Sequence, residues 1–204
     1  MTIWSWDGIR PVIDPAAFVH SDATVIGDVI VAAGVYVGPG AVLRGDFGRI
    51  VLERGCNVQE TCVIHSFPGR DVIVGESGHV GHGAVLHGCR VGRNAMIGMN
   101  AVVMDGAEIG RNAIIGAMAF VKAGASIPEG ALAVGSPATV QRMLTPAEID
   151  WKSRGTAIYQ RLALEARDRL APATALEAPE PDRRRAEAPA YDPLMIERML
   201  GAPV

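Results

Sequence analysis

The sequence predicts an all-β fold: a parallel β-helix built from hexapeptide repeats, closed by a C-terminal α-helix and a flexible tail. Three observations carry that prediction. Aliphatic residues recur every six positions. Small residues keep a fixed offset from them. Glycine is abundant while aromatics are scarce, with 24 Gly and 5% aromatic residues in 204. Stepping by six gives Ile13, Val19, Val25, Val31, Val37 and Leu43; then Leu52, Val58 and Ile64; then Val74, Val80 and Leu86; then Val91, Ile97, Val103, Ile109, Ile115, Val121, Ile127 and Ala133. Four residues after the last set of leaders stand Ala95, Ala101, Ala107, Ala113, Ala119, Ala125 and Ala131. A period of six matches neither the 3.6 of a helix nor the two of a long strand. It suits a short strand and a corner, repeated three times per coil of about 18 residues. Successive coils then stack at ~4.8 Å, with the leader inward and Gly or Asn at the corner. A β-sandwich would not hold this register from Ile13 to Ala133.

The coil is expected over residues 1–140, ending near Gly135-Ser136-Pro137. Thr145-Pro146-Ala147-Glu148 then combines an N-cap, a proline at the first helical position and a glutamate three after the cap, which marks a helix start. The 141–170 segment should hold that helix, from about 146 to 170 and loosened at Gly155. Ile149, Trp151, Ile158 and Leu162 are its candidates for packing on the coil or a neighbour. Residues 171–204 read as a Pro/Ala-rich tail, with Asp182-Arg183-Arg184-Arg185 as a solvated charge run. A short amphipathic piece, Leu194 to Leu200, is expected to dock on a partner chain.

Composition limits the function. Apolar residues are 49%, enough for a core, and 19 basic against 22 acidic residues give a net charge of −3. That balance offers no basic footprint for nucleic acid, and no apolar run is long enough to span a membrane. No basic-then-apolar leader opens the chain. Cys56, Cys62 and Cys89 have neither a disulfide-framework nor a zinc-ribbon spacing, so buried thiols in a cytoplasmic protein are expected.

The repeat breaks three times. Leu43 to Leu52 is nine residues, Ile64 to Val74 is ten, and Leu86 to Val91 is five. All three breaks fall between Arg44 and Arg90, the stretch that holds His65, His79, His82 and His87. Counting faces through the breaks stacks Leu43, Ile64 and Leu86 on one face of consecutive coils. Arg44, His65 and His87 follow them and should point outward in one column, with the two histidines close enough to share a metal. Val58 and Val80 stack on another face, carrying Gln59 and then His82. His82 cannot easily reach the column in its own chain, whereas a neighbouring subunit in a threefold ring can bring it there. Three histidines with an open fourth position is the catalytic zinc pattern. Such a zinc would lower the pKa of bound water and supply hydroxide to carbon dioxide, an ester or a thioester. Gln59 is placed to orient it, and Arg44 and Asp46 suit an intersubunit ion pair. His20 and His79 are expected at the surface.

Arg44-Gly45-Asp46, Asn57-Val58-Gln59-Glu60, Val63-Ile64-His65-Ser66, Gly78-His79-Val80-Gly81-His82-Gly83 and Leu86-His87-Gly88-Cys89 resemble the gamma-class carbonic anhydrase family of hexapeptide-repeat proteins. Met99-Asn100-Ala101-Val102-Val103-Met104-Asp105-Gly106, Ala119-Phe120-Val121-Lys122-Ala123-Gly124, Gly135-Ser136-Pro137-Ala138 and Trp151-Lys152 resemble its PaaY/CaiE branch more narrowly. The resemblance covers about residues 1–170. It implies a left-handed coil, a homotrimer, and zinc (or iron or cobalt) held by His65, His82 and His87 with one ligand from a neighbouring chain. It also implies Gln59 on the metal-bound oxygen, Asn57 nearby, and Arg44–Asp46 at the interface. The activities implied are hydrolysis of acyl-CoA thioesters, of the phenylacetate type, and hydration of carbon dioxide. Where the archetypal enzymes carry a carboxylate-rich proton-shuttle loop, this chain reads Ser66-Phe67-Pro68-Gly69-Arg70-Asp71 without a glutamate; Glu60 is the nearest substitute. The alternatives are a non-catalytic trimeric scaffold or activator for an acyl-CoA enzyme, and a hexapeptide acyltransferase using histidine as a general base.

Overall fold

The computed structural model describes residues 1–187 together with Pro189 and Tyr191. Short strands alternate with tight turns and wind into a parallel solenoid, as the six-residue period requires. One face, here face A, stacks Thr24, Val42, Val63, Val85, Val102 and Phe120 in register, each one coil above the last. Face B stacks Val12–Ile13, Val29–Val31, Ile50–Leu52, Val72–Val74, Arg90–Val91, Glu108–Ile109 and Ser126–Ile127. Face C stacks Phe18–Val19, Tyr36–Val37, Asn57–Val58, His79–Val80, Met96–Ile97, Ile114–Ile115 and Ala131–Val134. All these pairings are parallel because each coil returns to its face in the same direction.

The leaders point inward and build one continuous core. Val25, Leu43, Ile64, Leu86, Ile97 and Ile115 are fully buried, and so are the corner residues Ala95, Ala101, Ala107 and Ala113. Each buried Leu or Ile contributes roughly 1.5–3 kcal/mol relative to exposure. The small corner residue lets the chain turn without opening a void. Asn94, Asn100 and Asn112 take φ between 54° and 57° at three of the corners, a left-handed conformation that asparagine tolerates better than most residues. Cys56, Cys62 and Cys89 are buried and free, and burial pushes the Cys62 and Cys89 thiols up to about 11 and about 12.

Two register breaks become structure of their own. The strand Val42–Leu52 runs through the first break and serves faces A and B in turn. The second break is a small loop closed by backbone hydrogen bonds in both directions between Phe67 and Arg70.

The solenoid ends where Ala131–Val134 pairs antiparallel with Thr139–Met143. The helix, α1, spans Pro146–Arg169. Its capping box forms as expected: Thr145 Oγ1 accepts from the Glu148 amide at 3.2 Å, and the Thr145 amide donates to Glu148 Oε2 at 2.8 Å. Arg142 also donates to both carboxylate oxygens of Glu148, at 2.8 and 2.6 Å, which holds that carboxyl at about 2.

The helix docks by a different face from the one its apolar residues suggest. Its buried residues are Glu148, Lys152, Gly155, Thr156 and Ala163, whereas Leu162 is exposed and Ile149, Trp151 and Ile158 are half-buried. The cause lies at the corner leading into face C, where Gly55 O, Ser77 O and Asn94 Oδ1 present hydrogen-bond acceptors. A polar surface selects a polar helix face. Lys152 Nζ donates to Ser77 O at 2.8 Å and Asn94 Oδ1 at 2.7 Å, and Gln160 Nε2 donates to Gly55 O at 3.0 Å. Burial lowers Lys152 to about 7. Gly155 does not loosen the helix. A Cβ there would stand 2.6 Å from the Tyr191 hydroxyl, so the glycine admits Tyr191, whose ring stacks on Trp151 with centroids 5.5 Å apart. Residues 171–187 carry no strand or helix, and Asp182–Arg185 are exposed as expected. The Leu194–Leu200 segment lies outside the described residues.

Candidate functional site

The face count places the column as expected. Arg44 pairs in register with His65, and His65 with His87. The two imidazoles face each other, with centroids 5.0 Å apart and His65 Nδ1 3.0 Å from His87 Nε2. The other nitrogen of each ring meets a carboxylate. His65 Nε2 lies 2.9 Å from Asp46 Oδ1, and His87 Nδ1 lies 2.5 Å from Asp105 Oδ1. A carboxylate accepts, so those nitrogens carry the protons. The facing nitrogens, His65 Nδ1 and His87 Nε2, are then both lone pairs. Two lone pairs at 3.0 Å repel unless a cation or proton lies between them, and this donor set therefore fits a metal ion.

Arg44 completes the arrangement. Its Nη1 donates to Asp46 Oδ2 at 2.6 Å, and its Nη2 lies 3.4 Å from His65 Nδ1. Residues two apart on an extended strand project to the same side, so Arg44 pairs with Asp46 of its own chain. Burial alone would raise the Asp46 carboxyl. The hydrogen bonds from His65 and Arg44 outweigh it, and the pKa lies below the usual carboxylate range. Gly88 makes room for Asp105: a Cβ there would meet Asp105 Oδ1 at 2.7 Å.

His82 stands apart, at the corner leaving face C. Its Nδ1 lies 2.5 Å from Glu60 Oε2, and Tyr36 donates to Glu60 Oε1 at 2.9 Å. His82 Nε2 faces the Tyr159 hydroxyl of α1 at 3.5 Å. His65 and His87 share one pattern, a hydrogen-bonded carboxylate behind one ring nitrogen and a lone pair on the other, whereas His82 meets its carboxylate without a hydrogen bond. Within one chain the three histidines do not converge; among the described residues no three His, Cys, Asp or Glu side chains are grouped to hold a metal.

Asn57 and Gln59 do come together, but around a histidine expected at the surface. His79 pairs in register with Asn57 and is only 9% exposed, because α1 covers it with the Tyr159 ring at 5.3 Å. The Gln59 amide is fixed by the His82 backbone N–H, which donates to Gln59 Oε1 at 3.2 Å. Gln59 Nε2 then donates to Asn57 Oδ1 at 3.0 Å and His79 Nε2 at 2.7 Å. Both amide hydrogens are used, and what Gln59 has left is a lone pair on its carbonyl oxygen. His79 accepts at Nε2, so its proton sits on Nδ1, facing Asn57 Nδ2 at a loose 3.3 Å. Burial lowers the His79 pKa to about 3, helped by the charges of Lys152 and His82. His20 is partly buried and accepts from the Asp22 amide through Nδ1 at 3.1 Å.

Asp105, His79 and Tyr159 are the site residues that sequence reasoning missed. The register count held a signal for the first two: Asp105 lies one coil above Gly88, beside His87, and His79 directly precedes the counted Val80. Tyr159 had no such signal, because its position depends on how α1 docks.

Comparison with known proteins agrees with the coil. The bacterial transferase hexapeptide (six repeats) family model matches residues 88–123. Carnitine operon protein CaiE of Salmonella dublin and of Salmonella typhimurium are each 51% identical over 185 residues, covering 91% of this chain and 93% of theirs. A Bacillus cereus structure described as a candidate acetyltransferase superposes with a TM-score of 0.79 and 34% identity, over 79% of this chain and 94% of that one. A hexapeptide transferase family protein from Anaplasma phagocytophilum superposes with a TM-score of 0.77 and 32% identity, over 80% and 96% of the two chains.

Proposed function

We propose, for a chain that belongs to the CaiE family of hexapeptide-repeat proteins, a metal-dependent hydrolase that cleaves acyl-CoA thioesters, with carbon dioxide hydration as its other candidate activity. The observation that carries this reading is the His65–His87 pair, two imidazoles backed by Asp46 and Asp105 whose facing nitrogens lie 3.0 Å apart. Zinc is the first choice of metal for a set of imidazole nitrogens, with iron or cobalt as alternatives. A bound zinc would lower the pKa of coordinated water towards neutrality and so make a hydrolytic nucleophile available.

The chain's own residues do the rest. Asp46 and Asp105 hold the tautomers and ring orientations of His65 and His87. Arg44 keeps Asp46 ionised and places a positive charge beside the histidine pair, where a thioester carbonyl would develop negative charge. Gln59 braces the His82 backbone, with Asn57 and His79 holding its amide, and its remaining lone pair can accept a proton-bearing group. Glu60 is the nearest carboxylate to His82 and the candidate acceptor for a proton released at the site. The assembly is a homotrimer in which the His65–His87 pair of one subunit meets His82 of the next. The exposed apolar column on face A, with Val63 41% and Phe120 36% exposed, supports a subunit contact there. The setting is cytoplasmic; among the described residues no helix is long and apolar enough to cross a membrane.

The test is a metal analysis of the purified protein followed by hydrolysis of a panel of aromatic and aliphatic acyl-CoAs, beside a carbon dioxide hydration assay. About one metal per chain, lost with activity on chelation, is the expected result. A metal-free trimer inactive on both substrates would leave the scaffold reading. The transferase descriptions of the matched family model and structures favour one other reading, acyl transfer with histidine as general base. Chelator-resistant transfer from acyl-CoA to an amine would establish that instead.

A further inference from the structure

The helix α1 and one corner of the coil leave a groove between them. The corner is the turn from face B into face C, where Ser77, Asn94 and Asn112 stack on successive coils with φ between 54° and 57°. Thr156 and Gln160 stand on the helix side. The groove holds about 370 Å³, at the small end of ligand-sized cavities. Among the described residues, its walls are neutral polar side chains and two arginines, with no carboxylate.

Three observations give the groove a charge preference. Arg93 and Arg111 stand one coil apart at this corner, since the Asn112 amide donates to Arg93 O at 3.0 Å. Like charges at the ~4.8 Å spacing of neighbouring coils repel. Each guanidinium meets a carboxylate outside the groove: Arg93 Nε lies 3.3 Å from Glu76 Oε2, and Arg111 Nε donates to Glu129 Oε1 at 2.8 Å. Each keeps further N–H groups for a ligand. The second observation is Lys152, buried behind the groove wall. Its ammonium donates to Ser77 O and Asn94 Oδ1. Both are neutral oxygens, and among the described residues no carboxylate pairs with it. A buried cation without a counter-charge is costly. The third is the Thr156 hydroxyl, in a residue 1% exposed, which has no hydrogen-bond partner among the described residues. Native structures rarely leave such a group unpaired without a reason. The Asn112 side chain adds a donor, because its Oδ1 accepts from Asn94 Nδ2 at 2.8 Å and its own amino group faces outward from that bond.

We propose that this groove binds a phosphate group, as the free ion or as a phosphomonoester, held between the Arg93 and Arg111 guanidiniums with Asn112 and Thr156 as further donors. A tetrahedral dianion offers oxygens to several donors at once, and guanidinium forks match it. None of these residues belongs to the histidine site, which stands on face A, so the proposal holds whether or not that site hydrolyses thioesters.

The probe is inorganic phosphate, titrated into the full-length, nitrogen-labelled protein as purified, against sodium chloride at equal ionic strength. Saturable amide shifts are expected at Arg93, Asn94, Arg111, Asn112 and Thr156. Arg93→Gln/Arg111→Gln removes two exposed charges, so the fold should survive, which oligomeric mass checks. A hydrogen bond to a charged group is worth about tenfold or more in affinity, so the double variant should bind phosphate at least about tenfold more weakly. Thr156→Val keeps the shape without the hydroxyl. It should bind phosphate severalfold more weakly, with stability equal to wild type or higher because the unpaired hydroxyl is gone. Affinity unchanged in the double variant overturns the proposal, as do shifts that chloride reproduces or that centre on His65 and His87. A Thr156→Val protein with wild-type affinity and lower stability overturns it too, by making the hydroxyl a structural group. Coenzyme A against dephospho-coenzyme A separates the two sources. Tighter binding of the former, lost in the double variant, assigns the groove to a phosphate carried on a nucleotide. Equal binding of the two, with inorganic phosphate saturating the site, assigns it to the free ion.

Discussion

Lys152 should make the stability of this protein rise with pH in a range where most proteins are past their optimum. The residue is 2% exposed and its pKa is lowered from 10.5 to about 7 by burial. In the unfolded chain it titrates near its ordinary value, so between pH 7 and 10.5 the unfolded state binds more protons than the folded one. Unfolding free energy then increases with pH across that window, and the cost of the buried charge is fully present only below pH 7. At 1.36 kcal/mol per pKa unit the full swing is roughly 4–5 kcal/mol, an upper bound because the Ser77 carbonyl and Asn94 Oδ1 stabilise the charged form. Lys152→Met removes the titration and keeps the aliphatic stem. It also leaves those two acceptors without their donor, at about 1–3 kcal/mol each. The variant should therefore be clearly less stable than wild type at pH 10.5, and the gap should narrow or reverse at pH 6. Urea unfolding of both proteins from pH 6 to 10.5 at one fixed concentration measures this. A stability difference that does not change with pH would refute the reasoning and show that Lys152 stays charged in the folded state.

Asp105→Asn, which removes the carboxylate behind His87, should weaken zinc binding about 10–100-fold with the trimer intact, read by competition with a chromogenic chelator. His79 should remain a neutral imidazole protonated on Nδ1 from pH 8 down to pH 4, seen in the nitrogen shifts of histidine-labelled protein. Its depressed pKa also means that stability is lost as pH falls from 6.5 towards 3, where the unfolded state takes up the proton. Glu148→Ala removes the capping-box acceptor and the Arg142 partner together and should cost about 1–3 kcal/mol in urea unfolding at pH 7. The carboxylate's contribution should fade as pH falls from 4.5 towards its folded value of about 2.

Much of the coil was legible because a solenoid states its core rule many times over. Leu43, Ile64 and Leu86 could be stacked by counting alone, and Arg44, His65 and His87 followed from the leaders they adjoin. The breaks were legible as interruptions, and they do hold Asp46, Phe47 and Phe67 beside the histidines. What repetition could not report was the environment outside the coil. His79 reads like a surface residue on an outer face until a helix covers that face. The side of α1 that docks is set by acceptors on Gly55, Ser77 and Asn94, so the apolar pattern of Ile149, Ile158 and Leu162 pointed the wrong way. Asp105 reaches His87 only because Gly88 lacks a side chain, a contact between neighbouring columns that a period of six does not encode.

The account depends most on a metal site shared between subunits, and subunit mixing tests it directly. His65→Ala and His82→Ala trimers should each bind no zinc at the site. When equal amounts are unfolded, mixed and refolded together, a chain supplying His65 and His87 meets a neighbour supplying His82 at about a quarter of the interfaces of a threefold ring. Zinc should then return to about a quarter of the wild-type content per chain. Mixed trimers that bind no more zinc than either parent would contradict a site built from two polypeptides.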